Sequence, residues 1–164
     1  MEKITIKRTT KFYGKRKIGL DSCVIIDMME YIEMLFYVKN LFREKDLFYT
    51  HEICVEEITK VLSSKRNSST DETRKIVLNF LKENNIKIIK RNTENYLYKI
   101  IPIHLPDSLI IADFKKEGIN LVYSQNNHFN KACQEIGINA IKIPTFDKLI
   151  EKKLKELFKQ SKKK

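Results

Sequence analysis

The chain has 164 residues and a formal net charge of +11, from 32 Lys and Arg against 21 Asp and Glu. This length suits one domain, and a hydrophobic share of 42% supplies an ordinary core and excludes global disorder. The basic excess attracts phosphate backbones without setting a sequence preference, and it serves solubility equally.

With no Trp and 4 Gly, the composition favours helices and buried aliphatic strands over a turn-rich all-β fold. Cys23, Cys54 and Cys133 stand far apart, with neither a CxxC pair nor zinc-ligand spacing. They are read as buried thiols in a reducing cytoplasm, without disulfides. The most apolar long stretch, Val24 to Val38, is interrupted by Asp27, Glu30 and Glu33, too many charges for a bilayer helix. The basic start of the chain has no apolar core and is not a secretory signal. A cytoplasmic protein with no membrane partner is therefore expected.

Residues 1–16 are basic and polar, with alternation at Ile4 and Ile6 that suits an edge strand or a loose arm. Lys17 to Leu20 reads as a buried strand, with Asp21 or Ser22 capping the helix that follows. Val24, Met28, Ile32, Leu35, Val38 and Leu41 recur at helical spacing, which predicts one helix over 23–42. Leu47 to Thr50 is a second strand, followed by a helix with Ile53, Cys54, Ile58, Val61 and Leu62 on one face. A polar loop is expected over 63–71, and Thr70 or Asp71 then caps another helix.

Ile86 to Ile89 is a third strand. Pro102 and Pro106 bound a loop before a helix opening near Asp107 and stopping at Gly118. Ile119 to Ser124 is a fourth strand, Phe129 to Gly137 a helix, and Ala140 to Ile143 a fifth strand. A final helix from Thr145 runs into the lysine-rich end. Such alternation predicts a three-layer α/β/α sandwich around a mainly parallel five-stranded sheet. Three segments are delimited: the arm over 1–16, the α/β domain over 17–150, and a lysine-rich helix end or tail over 151–164.

Ligands of such sheets bind beyond the C-terminal ends of the strands. Asp21 directly follows the first strand, although it could be a plain N-cap. Glu56 and Glu57 lie in the helix after the second strand. Glu57 sits beside the apolar stripe of Cys54 and Ile58 and is preferred for an inward role; Glu56 is turned away by about 100°. Asp107 opens a very apolar helix that should hold it firmly. Carboxylates converging on one edge repel, and oxygen-only donors favour a hard divalent cation such as Mg²⁺ or Mn²⁺.

These residues, in this order, resemble the PIN-domain family of nucleases. The matching segments are IGLDSCVIID (18–27), HEICVEEITKVL (51–62), LPDSLIIADFKKEGINLVYS (105–124) and NNHF (126–129). The resemblance implies an endoribonuclease dependent on Mg²⁺ or Mn²⁺, either a toxin of the VapC type held by an antitoxin or an RNA-processing enzyme. It implies metal binding by Asp21, Glu57 and Asp107, with Asn126 in the place of the usual fourth acid. Ser124 matches a Ser/Thr that positions metal or phosphate, and Ser22 matches the small residue after the first acid.

Asn126 offers a carbonyl oxygen but no charge and cannot serve as a general base. A second metal is therefore doubtful, and a catalytically weakened RNA-binding or scaffold protein is the alternative. His128 is a candidate phosphate contact or general acid, or simply a surface residue before Phe129. His51 and His104 receive no role, and Asp27 and Asp113 are read as solvated or as helix-surface pairs. Homodimerisation is expected through the helix over 23–42.

Overall fold

The computed structural model describes residues 15–163. The basic arm expected over 1–16 therefore lies almost wholly outside the described residues.

The sheet has five strands: β1 (Lys17–Leu20), β2 (Leu47–His51), β3 (Ile86–Ile89), β4 (Leu121–Ser124) and β5 (Asn139–Lys142). Their order is β3-β2-β1-β4-β5, and every pairing is parallel. The expected α/β sandwich is thus present, with a wholly parallel sheet. The described residues form seven α-helices: α1 (Ser22–Glu30), α2 (Ile32–Asn40), α3 (Glu52–Arg66), α4 (Thr70–Glu83), α5 (Asp107–Lys116), α6 (Asn127–Glu135) and α7 (Phe146–Lys162). A 3₁₀ turn, Tyr96–Ile100, precedes α5. The lysine-rich segment from 151 continues α7 without interruption. No helix among the described residues is long and apolar enough to cross a membrane.

Period-two alternation along the strands divides the core between the two faces. Ile18, Leu20, Leu121 and Tyr123 pack with α1, α2, α3, α4 and α7. Val122 faces the other way, into a core built by Ile110, Ile111 and Phe114 of α5 with Phe129 and Cys133 of α6. Gly19 lies on this second face, and a Cβ there would stand 2.6 Å from the Phe114 ring. The missing side chain lets α5 approach the central strand. Gly118 and Gly137 adopt φ of 78° and 86°, turning the chain out of α5 and α6 toward β4 and β5.

Several expectations need correction. The helix over 23–42 is two helices, because Tyr31 is extended (φ −133°, ψ 121°). Its N–H still bonds to the Asp27 carbonyl, its own carbonyl accepts from Met34 and Leu35, and its ring stacks on Phe146 at 3.8 Å. Helical periodicity continues across the break because both halves cover the same core. The polar stretch over 63–71 is mostly helical: α3 continues to Arg66, and Asn67 closes it in the left-handed region at φ 50°. Ser69, rather than Thr70 or Asp71, caps α4 through the backbone N–H of Glu72.

Asp113 is not solvated. It is 3% exposed and accepts from His51 Nε2 at 2.7 Å, Asn95 Nδ2 at 3.0 Å and the Asn92 N–H at 3.2 Å. His51 Nδ1 accepts from the Ile53 N–H, so the ring hydrogen is on Nε2 and is donated to Asp113. This buried pair ties the end of β2 and the 92–95 loop to α5. Asp27 is also engaged, accepting from Gln125 Nε2 at 2.6 Å.

Gly19→Ala should destabilise the fold by about 1–3 kcal/mol through forced displacement of Phe114. Urea unfolding measures this directly. A midpoint equal to that of the wild type contradicts the close approach of α5 to β1.

Candidate active site

The sheet changes its winding direction beside β1. From β1 the chain moves outward to β2 and β3, then crosses to β4 on the other side. The ends of β1 and β4 therefore border the crevice where parallel sheets bind ligands. Asp21 stands at the end of β1, with its N–H bonded to the Tyr123 carbonyl of β4. Ser124, Gln125 and Asn126 follow β4. The α3 helix begins after β2 and contributes Glu57, while α5 contributes its first residue, Asp107.

These segments enclose an open cavity of about 380 Å³. Asp21, Glu57, Asp107 and Asn126 all line it, as do Ser22, His104 and Gln125. Glu57 is turned toward the cavity and half-buried, whereas Glu56 is exposed. The four residues singled out as a catalytic set are thus neighbours in space.

A hydrogen-bond chain links three of them, Asp21, Glu57 and Asn126. Asp21 is the N-cap of α1, with Oδ1 accepting from the Ser22 N–H at 2.8 Å. Its Oδ2 accepts from the buried Ser124 hydroxyl at 2.6 Å. The Ser22 hydroxyl donates to Glu57 Oε2 at 2.8 Å. Ser124 Oγ in turn accepts the Asn126 N–H at 3.0 Å. Both serines orient acids; Ser22 also lines the cavity, while Ser124 lies behind Asp21. Asn126 caps α6, its Oδ1 accepting from the N–H groups of His128 and Phe129 at 2.9 and 3.3 Å. The His128 ring lines an adjoining groove, outside this cavity.

The cavity concentrates negative charge. Burial raises the Glu57 pKa, and Asp21 and Asp107 raise it further, against the lowering effect of the Ser22 hydrogen bond. Burial also raises the Asp107 pKa, with Asp21 adding to the shift. His104 Nε2 lies 3.3 Å from Asp107 Oδ2 and lowers both values, a contact that sequence spacing alone did not mark as functional. No lysine or arginine is among the described residues lining the cavity. Cys23 also borders it, but burial and then the Asp21 charge push its thiol up to about 12. A thiolate nucleophile or soft-metal ligand is disfavoured there.

The lining therefore offers carboxylate oxygens with no lysine or arginine beside them, a donor set that suits a hard divalent cation. Among the described residues, no three His, Cys, Asp or Glu side chains are gathered closely enough to form a finished ligand cluster. Asp21, Glu57 and Asp107 are the residues that would hold an ion, with their side chains drawn together.

No protein-family model and no curated protein sequence matches the chain. Solved structures do. A domain of a functionally unknown protein from Methanocaldococcus jannaschii superposes with a TM-score of 0.50 at 18% identity, covering 79% of this chain and 92% of the other. A chain from the structure of VapBC2 from Rickettsia felis bound to a DNA fragment from their promoter gives a TM-score of 0.55 at 15% identity, covering 77% and 98%. The chain therefore shares its fold with that VapBC2 chain. This agrees with the α/β architecture expected from the alternation of strands and helices. A toxin–antitoxin complex from Klebsiella pneumoniae is more remote, with a TM-score of 0.47 at 16% identity over 66% and 86% of the two chains.

The raised pKa of Glu57 has a measurable consequence. A carboxyl whose folded pKa exceeds its unfolded value costs stability once it ionises. That cost is absent below the unfolded pKa and complete above the folded one. In chelator at about pH 7.5, Glu57→Gln should raise Tm by a few degrees at most, and the gain should shrink toward about pH 4. A lower Tm at about pH 7.5 contradicts the electrostatic account.

Proposed function

We propose that the protein is an endoribonuclease dependent on Mg²⁺ or Mn²⁺, with Asp21, Glu57 and Asp107 as the metal-holding acids. The observation that carries this reading is the convergence of the three carboxylates on one cavity that has no lysine or arginine among its described lining residues. The fold shared with the Rickettsia felis VapBC2 chain supports it. So does the net charge of +11, which draws a polyanion toward an acidic pocket it would otherwise avoid.

Asp21, Glu57 and Asp107 would hold the ion, which when bound would supply an activated water and positive charge beside the scissile phosphate. The protein's residues supply position. Asp21 is held between the Ser22 N–H and the Ser124 hydroxyl, so its carboxylate stays aimed along the ends of β1 and β4. Ser22 couples Glu57 to the same segment. His104 lies beside Asp107 at the cavity wall, where its ring N–H can hydrogen-bond a phosphate oxygen. Asn126 is neutral and leaves the acids to act without a fourth charge.

A second reading follows from Asn126, whose carbonyl is committed to capping α6. Here the protein is a weakened, RNA-binding or scaffolding relative of the nucleases. An antitoxin partner or a second copy is compatible with either reading. Exposed Ile32 (61%) and Phe36 (59%) on α2 offer apolar surface for such a contact.

Purified protein with Mn²⁺ should cleave single-stranded RNA, and Asp21→Asn should reduce cleavage to background. Ser124→Ala should cost roughly 10–100-fold in metal affinity or activity by releasing Asp21. Equal cleavage by wild type and Asp21→Asn would sink the nuclease reading. If the wild type is inactive and Asn126→Asp gains Mn²⁺-dependent cleavage, the second reading is correct.

A further inference from the structure

Beside the acidic cavity runs a groove of about 490 Å³ with a different chemical character. The two share His104 and Asn126 as a common wall, so a chain leaving one passes directly into the other. One side of the groove is the α6 face carrying His128 and Lys131, residues three apart and hence neighbours on a helix. The opposite side is the 102–104 loop, where Pro102 and Ile103 present an apolar edge next to His104. His128 and Lys131 are exposed to solvent, and Ile103 is half-buried. Glu135, one helical turn beyond Lys131, is the acid among the described lining residues and sits toward the end of α6.

The acidic cavity thus has three carboxylates and no lysine or arginine among its described lining residues, whereas the groove has a lysine, two histidines and a single carboxylate. A polynucleotide presents the complementary pattern, with phosphates spaced along a strand and an apolar base face between them.

We infer that this groove binds the nucleotide next to the scissile bond of a single-stranded RNA. Lys131 and His128 contact its phosphate, and Pro102 and Ile103 pack against its ribose or base. The inference rests on the proposed action on RNA and extends it by giving the strand a track. The α6 helix then joins the two sites. Its Asn126 cap lies at the acidic cavity, and its next turn carries the phosphate contacts.

The test measures binding without chemistry. A fluorescein-labelled RNA octamer of mixed sequence is titrated with full-length protein in EDTA, at several salt concentrations. Lys131→Glu should weaken binding about five- to tenfold, and the slope of log Kd against log salt should fall by about 1. Lys82→Glu makes the same charge change in the last turn of α4, just before β3 starts at the opposite edge of the sheet. It should weaken binding less than twofold. His128→Ala combined with Ile103→Ser tests the remaining contacts while leaving every site carboxylate in place, and circular dichroism checks folding.

Equal losses for Lys131→Glu and Lys82→Glu overturn the groove, because the effect is then one of overall charge. Wild-type binding by Lys131→Glu overturns it as well, whether or not Mn²⁺ supports cleavage. Binding that depends on Lys131 in a protein with no cleavage under any metal keeps the groove and removes the nuclease reading.

Discussion

Repulsion among Asp21, Glu57 and Asp107 is the constraint on which the rest of the structure turns. Burial and mutual charge raise the pKa values of Glu57 and Asp107, so folding brings together groups that would be more stable apart. The fold holds them there by rigid means. Asp21 is clamped at the end of the central strand by two donors, and Glu57 is linked to it through Ser22. Asp107 opens a helix whose following residues, Ser108 to Phe114, are all buried. That helix can lie so close to β1 because Gly19 has no side chain in the path of Phe114. A glycine in the core and a carboxylate at the surface are thus parts of one arrangement.

The electrostatics divide the molecule by position. Among the described residues, the lysines of α7 are exposed, while the cavity lining has neither lysine nor arginine. Long-range attraction and short-range repulsion then act on a phosphate backbone at different distances. A divalent cation would reverse the short-range sign and let the backbone approach. Without that ion, the same field should hold a strand along the α6 groove and away from the acids.

Much of this was legible in the sequence because it depends on local signals. Short apolar runs ending in a polar residue marked β1 and β4, and Gly118 and Gly137 marked the ends of α5 and α6. Asp21 could be singled out because it follows a strand, Asp107 because it opens a helix, Glu57 because it lies beside the apolar stripe of its helix, and Asn126 through the family resemblance. What could not be read depends on partners distant in the chain. Tyr31 breaks the α1–α2 stretch without a proline or glycine, and its ring rests on Phe146. The His51–Asp113 pair spans 62 positions, and neither neighbourhood distinguishes it from a surface residue. His104 joins the site from a loop whose course no periodicity predicts. Asn126 was recognised by its place in the order, but its role as the cap of α6 required the backbone geometry.

The central proposal is that Asp21, Glu57 and Asp107 together bind a divalent cation. Crystals grown with Mn²⁺ and measured at the manganese absorption edge test it most directly. The account predicts an anomalous peak among Asp21, Glu57 and Asp107, lost in Asp21→Asn crystals grown in the same way. A cavity without a peak at saturating Mn²⁺, with the acids in their metal-free positions, would contradict it.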